Sequence, residues 1–384
     1  MARRFLPRPR VLGESGMSDR VVGTRGDKSA TAIPDCSLTW AQIVGWLREA
    51  DETRLKHLWR QADEVRRRTV SDAVHLRGLI EISNHCVRQC GYCGLRAGNT
   101  RLDRYRMTEE EIVGCARLAA RYGYGTVVLQ AGEDYGIATE WLGAVVRRIK
   151  NETNLAVTLS LGERPERDLA AWRAAGADRY LLRFETSDPD LYRRIHPSFA
   201  DRLSDRLAIL RTLKRLGYET GSGVMVGIPG QSLESLAADI LTFRTLDLDM
   251  IGVGPYIPHP GTPLGRGEWH RVLPETEQAP STELMVYKVV ALARLMCPEA
   301  NIPSTTALAT LNRKTGRELG LMRGANVVMP NLTPPEYREK YEIYPGKACA
   351  NETAEACRMC LPRRIEALGR QVGIGAGGRV RRTL

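Results

Sequence analysis

One alternation constrains the fold of this chain more than any other feature of its sequence. Short runs rich in β-branched and aliphatic residues recur at 79–83, 126–130, 155–160, 178–182, 219–226, 249–253, 301–305 and 326–330. Each is followed by residues of helical hydrophobic period. The helix starts carry their own punctuation. Thr108-Glu-Glu-Glu111 is a capping box in front of Ile112, Ala116 and Leu118. Ser187-Asp-Pro189 sets a proline in a first turn, where its missing N–H costs nothing, and Ser232 precedes Leu233, Leu236 and Ile240. Eight strand–helix units with no antiparallel stretch predict an α/β protein with a parallel sheet. Its natural closure is a TIM-type (β/α)8 barrel, with an open doubly wound sheet as the alternative.

Around this barrel, assigned to residues 77–335, the sequence divides further. Residues 1–34 mix Arg, Pro, Gly and Ser without period and read as a disordered basic tail. Residues 35–76 read as leading helices, with Leu55, Leu58, Trp59, Ala62 and Val65 at helical spacing. Residues 265–281 are a Gly-, Pro- and charge-rich insertion. Residues 336–372 form a C-terminal segment that closes the barrel, and 373–384, opening Gly373-Ile-Gly-Ala-Gly-Gly378, read as a flexible basic tail.

The formal net charge of +11 suggests nucleic acid, but its location argues otherwise. The first 30 residues carry 7 Lys+Arg against 3 Asp+Glu, and residues 361–384 carry 6 against 1. Almost all of the excess therefore sits in two tails without aromatic stacking platforms, and no nucleic-acid partner is expected. No apolar run approaches the ~20 residues of a membrane helix. The start, Met1-Ala-Arg-Arg-Phe-Leu, lacks the apolar core of a secretory signal. An Arg-rich transit peptide stays open there, and Met17 competes with Met1 as the start.

Nine cysteines, an odd number with six in two tight groups, do not form a disulfide framework. Cys86-Val-Arg-Gln-Cys90-Gly-Tyr-Cys93 follows the run at 79–83. Three thiols on one loop fall short of the four ligands of structural zinc. An iron–sulfur cube normally takes four thiolates, so three leave one iron open to another ligand. Buried packing thiols on a turn are the bland alternative. Cys349, Cys357 and Cys360 form a second triplet, read as iron–sulfur or as zinc completed by a further ligand. Cys36, Cys115 and Cys297 read as packing thiols. Such clusters need a reducing, low-oxygen interior, which points to the cytoplasm.

The spacing C-x3-C-x2-C, with aromatic Tyr92 before the last Cys, resembles the signature of the radical S-adenosylmethionine (SAM) enzymes. That resemblance implies a [4Fe-4S] cluster on the catalytic thiols Cys86, Cys90 and Cys93, whose open iron chelates the amino and carboxylate groups of SAM. One electron then breaks a C–S bond and gives a 5′-deoxyadenosyl radical. Residues 77–360 further resemble the HydE-type maturases of [FeFe]-hydrogenase. The matching stretches include Arg77-Gly-Leu-Ile-Glu-Ile-Ser-Asn84, Arg104-Tyr-Arg-Met-Thr108, Val157-Thr-Leu-Ser-Leu-Gly-Glu163, Gly254-Pro-Tyr-Ile-Pro-His-Pro260 and Tyr344-Pro-Gly-Lys347.

By this resemblance SAM is held by Tyr92, Gly132, Glu133, Ser160, Glu185, Arg206 and Met225. The segment Ala131-Gly132-Glu133 departs mildly from the family's Gly-Gly-Glu. A buried glutamate and an arginine complement SAM's ammonium and carboxylate by charge-assisted hydrogen bonds. From the residues alone, Arg206 also reads as a solvated helix face beside Arg202 and Arg211, Met225 as core, and His259 as a packed loop residue. The implied substrate contacts are Arg77, Thr158, Thr305, Thr306, Met329, Tyr341 and Tyr344, hydroxyls and a guanidinium suited to an anionic ligand. The resemblance also implies an often labile auxiliary [2Fe-2S] or [4Fe-4S] cluster at Cys349, Cys357 and Cys360. Its expected partners are a small organometallic iron–CO–CN–cysteine substrate on the way to the H-cluster, an electron donor such as a ferredoxin or flavodoxin, and other hydrogenase maturases. Relatives of methylornithine synthase or biotin synthase type are the competing enzymes; the second Cys triplet and Ile302-Pro-Ser-Thr-Thr306 argue for HydE. A non-catalytic iron–sulfur scaffold is the competing class, and it needs no barrel with charged strand ends.

Overall fold

The computed structural model describes residues 38–199, 204–268, 272–349 and 352–380. The tail expected at 1–34 lies outside them. Two helices, α1 (Trp40–Arg48) and α2 (Glu52–Val70), come first, capped by Thr39 and Asp51. Strand and helix then alternate: β1 (Ala73–Ser83), α3 (Glu109–Arg121), β2 (Thr126–Ala131), α4 (Thr139–Glu152), β3 (Ala156–Ser160), α5 (Glu166–Ala174) and β4 (Arg179–Leu181). Two helices follow β4, α6 (Pro189–Ile195) and α7 (Arg206–Arg215), before β5 (Glu219–Val226), α8 (Leu233–Thr245), β6 (Met250–Pro255) and α9 (Glu283–Met296). The expected caps are in place: Thr108 and Glu111 form the reciprocal box on α3, Pro189 opens α6, and Ser232 caps α8.

Strands β1 to β6 pair in chain order and all in parallel. After α10 (Thr306–Leu311) and α11 (Gly316–Met322) comes β7 (Val327–Val328), which pairs with the other edge of β1. The ring closes between β6 and β7 through residues 301–303, by the parallel bridges Met250–Asn301 and Pro303–Val327. All eight expected runs thus fall in the ring in order. The seventh is thin because Pro303 has no N–H to give a ladder.

Alternation along the strands sorts the two faces. Ile80, Ile82, Val127, Leu129, Val157, Leu159, Tyr180, Leu182, Val224, Val226, Ile251 and Val253 belong to the main apolar core. The intervening positions, Arg77, Glu81, Gln130, Thr158, Ser160, Arg179, Arg183 and Glu185, face the other way, into the barrel. Gly252 adds room there: a Cβ on it would meet nothing nearer than Ser222 O at 3.8 Å.

The chain ends with α12 (Pro335–Arg338), α13 (Ala354–Glu366) and β8 (Gln371–Val372), which pairs with Ala73 and Val74 of β1. One sequence expectation is corrected here. Residues 373–380 are not a free tail: they run across the N-terminal ends of the barrel strands, fixed by backbone and side-chain hydrogen bonds. Glycine in this segment serves close packing and not disorder.

Candidate active site

The loop after β1 carries Cys86, Cys90 and Cys93 and is tied down from four directions. Val87 N donates to Glu133 O (3.0 Å), Gly91 N to Ile195 O (2.8 Å), Gly94 N to Ile343 O (3.0 Å), and Gly91 O accepts from Leu264 N (3.0 Å). Arg104, which opens the stretch Arg104-Tyr-Arg-Met-Thr108, wraps the loop from outside. Its guanidinium donates to Asn84 O, Leu95 O, Arg96 O and Asn99 O. His259 is a packing residue, its ring between Glu342 Oε1 (3.0 Å) and Gly261 N (2.9 Å). Burial pushes all three thiols up, Cys93 to about 12, and in Cys90 and Cys93 the neighbouring thiols add to it. Three thiolates at this place therefore need a strongly cationic partner, which deprotonates thiols outright on binding. Among the described residues no three His, Cys, Asp or Glu side chains close on a single ion. An iron–sulfur cluster binds each thiolate through a different iron and so takes a wider set.

Beside this loop the ends of β2, β3 and β4 bring charges together. Gly132 fits against the Cys loop: a Cβ there would lie 2.2 Å from His85 O and 2.9 Å from Cys86 Cβ. The buried Glu133 carboxylate accepts from Arg88 Nε (2.6 Å), Tyr135 Oη (2.9 Å) and Glu163 N (3.0 Å), so its side chain holds loops. Glu185 has a left-handed backbone, φ 64°, and bridges to β5 through Glu185 N to Gly223 O and Met225 N to Glu185 O. Its carboxylate sits 3.4 Å from Tyr92 Oη and 3.1 Å from Arg183 Nη2.

Arg206, the first residue of α7, is buried rather than solvated. Nε donates to Glu163 Oε1 (2.9 Å), Nη1 to Arg183 O (2.7 Å) and Nη2 to His196 Nε2 (2.6 Å). Burial, with Arg206 and Arg88 nearby, pulls His196 down to about 2, so its ring is neutral and accepts from Arg206. The 3.9 Å approach of His196 to Glu163 is for that reason no ion pair. Met225 lies in a small apolar cluster with Leu191, Ile195, Ile228, Tyr256 and Leu264, against which Tyr92 packs. Ser160 ends β3 in register with Gln130.

Deeper in the barrel the inward row continues. Thr158 Oγ1 and Arg183 Nε are buried with no hydrogen-bond partner in the protein. Arg183 was missed as a site residue, although it stands two positions before Glu185 and so shares its face. Tyr341 is buried, its hydroxyl accepting from Gln130 Nε2 (3.2 Å), and Lys347 Nζ pairs with the buried Glu81 carboxylate. Burial pushes the Tyr344 phenol up. Thr305 is already engaged as the cap of α10, with Oγ1 on Val253 O (3.2 Å) and Leu308 N (3.3 Å). Thr306 and Met329 line a small cavity with Arg317, Lys347, Cys349 and Cys357. Arg77 lies at the opposite end from the Cys loop, on the floor, with Nη2 on Gly377 O (3.0 Å) and Nε unpartnered.

The second triplet is only partly assembled. Cys349, at φ 61°, is held down to about 7 by the Cys357 thiol and by Arg317, and Cys357 is pushed up in turn. Cys357 Sγ also meets Glu352 Oε2 at 3.5 Å. Cys360 is exposed on α13. Two thiols and a carboxylate meet; the third thiol, although only three positions on from Cys357, faces solvent.

The radical SAM superfamily pattern matches residues 80–242, from β1 through α8. A relative from Thermotoga maritima, the [FeFe] hydrogenase maturase subunit HydE, is 48% identical over 324 residues, 84% of this chain and 89% of its own. The chain belongs to the HydE family of radical SAM proteins. A 3-methylornithine synthase of Methanosarcina barkeri is 31% identical over 319 residues, 82% of this chain and 85% of its own. The crystal structure of a methylornithine synthase superposes with a TM-score of 0.73 at 27% identity, covering 88% of this chain and 94% of that one. Radical SAM proteins use a [4Fe-4S] cluster and SAM, and this chain is a member of that superfamily.

Proposed function

We propose that this chain acts in the maturation of [FeFe]-hydrogenase, on a small anionic iron–carbonyl–cyanide–cysteine species that goes into the H-cluster. The observation that carries this reading is the inward polar row beneath the Cys loop. Arg183 Nε, Thr158 Oγ1 and Arg77 Nε are buried side-chain donors with no protein acceptor, stacked from mouth to floor. Buried donors left unpaired are costly, so they point to a ligand that supplies acceptors.

When bound, the cluster and SAM supply a one-electron cleavage of a C–S bond and with it an adenosyl radical. The chain's own residues do the rest. Cys86, Cys90 and Cys93 hold the cluster. Arg206, fixed by Glu163 and His196, offers a positive charge for SAM's carboxylate, and Glu185 offers a negative one for its ammonium. Met225, Ile195, Ile228 and Leu264 keep water from the mouth. Arg183 and Arg77 draw an anion inward, and Tyr341 and Tyr344 wall the chamber. An electron donor of ferredoxin or flavodoxin type and other hydrogenase maturases are the working partners, in the cytoplasm. No helix among the described residues is long and apolar enough to cross a membrane. Cys349 and Cys357 are candidates for a labile auxiliary cluster.

Anaerobically reconstituted protein given SAM and dithionite should form 5′-deoxyadenosine, and Cys90→Ser should form none. In a maturation assay, apo-hydrogenase should gain activity with wild type and not with Cys90→Ser. Normal 5′-deoxyadenosine formation with no hydrogenase activation would overturn the substrate assignment, and formation of methylornithine would replace it.

A further inference from the structure

We propose that residues 373–380 are a built-in floor for the barrel, a strap that seals the chamber at the end opposite the Cys loop and fixes Arg77 and Arg179 in place. The proposal needs only the barrel, and stands whichever small molecule the chamber takes. The strap leaves β8 with Gly373 N donating to Val74 O at 2.9 Å. It passes β2 and β4, where Thr126 Oγ1 and Arg179 Nη2 both donate to Ala376 O at 3.0 Å. It then meets β1 and residues 301–303, where Arg77 Nη2 and Asn301 Nδ2 donate to Gly377 O at 3.0 and 3.1 Å. On the far side Arg379 Nη1 reaches Asp247 Oδ1 (2.6 Å) and Asp249 Oδ1 (3.3 Å), and its Nε reaches Glu299 Oε2 (3.4 Å). Two backbone carbonyls therefore collect four side-chain donors from four different parts of the ring.

The glycines show that the fit is close. A Cβ on Gly125 would stand 1.7 Å from Gly375 O, and one on Gly378 would stand 2.5 Å from Glu219 Oε1. Gly377, at φ +56°, would drive a Cβ to 2.4 Å from the His75 ring. Only glycine meets both the left-handed backbone and the contact. The segment's large apolar side chains, Ile374 and Val380, are exposed, so the strap is held by its backbone and by Arg379.

Without the strap, Arg77 would lose the acceptor of Nη2 while its Nε is already unpartnered, and Arg179 and Asn301 would each lose one as well. Buried donors stripped in this way are satisfied by water. The strap thus leaves the Cys-loop end as the way into the chamber and keeps the floor dry, as chemistry with a reactive intermediate requires.

The test compares the full chain with one ended at Val372, both reconstituted, by hydrogen–deuterium exchange and by equilibrium SAM binding. Exchange of amides 74–78, 126–128 and 179–181 is expected to quicken about tenfold or more, with residues 83–94 and SAM affinity unchanged within about twofold. A synthetic peptide of residues 371–384 added in excess should restore protection. Should the shortened chain fail to fold, Gly377→Val in the full chain must give the same selective change. Unchanged floor exchange, or equal loss of protection at the floor and the Cys loop, overturns the proposal.

Discussion

Arg206 illustrates how far a residue's role depends on partners distant in sequence. Its spacing beside Arg202 and Arg211 reads as a wet helix face, while its partners Glu163 and His196 lie 43 and 10 positions away. The family motif could name Arg206 and Glu185; the ring of Arg206, His196, Tyr192, Ser204 and Glu163 was not legible, because it closes only when α6, the start of α7 and the loop after β3 come together. Arg206→Ala should weaken SAM binding by about 2 kcal/mol, roughly 30-fold in Kd, the worth of a charge-assisted hydrogen bond. Arg206→Lys should recover only part, since an ammonium cannot serve three directions as a planar fork does. His196 gives the pH dependence. Its folded value near 2 lies below the ordinary 6.5, so below pH 6.5 the unfolded chain binds a proton that the folded chain refuses. Its stabilising share is complete above pH 6.5 and is lost as pH falls. Thermal melts of the apo chain from pH 7.5 to 5 should show a steeper fall for wild type than for His196→Gln; parallel curves would contradict this.

At the scale of elements, two loops at the barrel mouth are held by one buried carboxylate. Asp239 on α8 accepts from Thr186 Oγ1 (3.3 Å), Ser187 N (2.5 Å) and Ser187 Oγ (2.6 Å) beyond β4, and from Gln231 Nε2 (3.2 Å). Gln231 Oε1 in turn accepts from Gly227 N (2.8 Å) and Ile228 N (3.3 Å) after β5. Glu185 stands directly before this clamp. Asp239→Ala should destabilise the fold by about 3 kcal/mol, as the loss of a buried network does, and lower SAM affinity without touching the thiols. Calorimetry of the apo chain and SAM binding by the holoprotein check the two halves. Gly132→Ala should push the β2 loop off His85 and Cys86, so that the reconstituted protein holds severalfold less iron than wild type; equal iron content would show that the loop yields. The order and faces of the strands were readable from the sequence, since alternation and β-branching are local. The run at 301–305 was readable too, but not that only single bridges would tie it to its neighbours, where Pro303 has no N–H to give a ladder.

Across the whole molecule, barrel and first Cys loop follow from pattern and spacing, whereas the two ends of the chamber do not. Arg77 entered as one more substrate contact, yet its strand carries it to the floor, some way from Glu185. Residues 373–380 read as a loose tail because glycine is ambiguous in sequence: the same residue serves freedom and close approach. The second triplet shows the limit of counting thiols, for Cys349 and Cys357 meet while Cys360 turns to solvent. All of these features serve one claim, that three thiolates hold a cluster with one iron left for SAM. Its most direct test is the EPR spectrum of the reduced, reconstituted protein recorded before and after SAM is added. A shifted cluster signal in wild type, diminished in Arg206→Ala and absent in Cys90→Ser, is the outcome this account predicts; a wild-type signal that SAM leaves unaltered would contradict it.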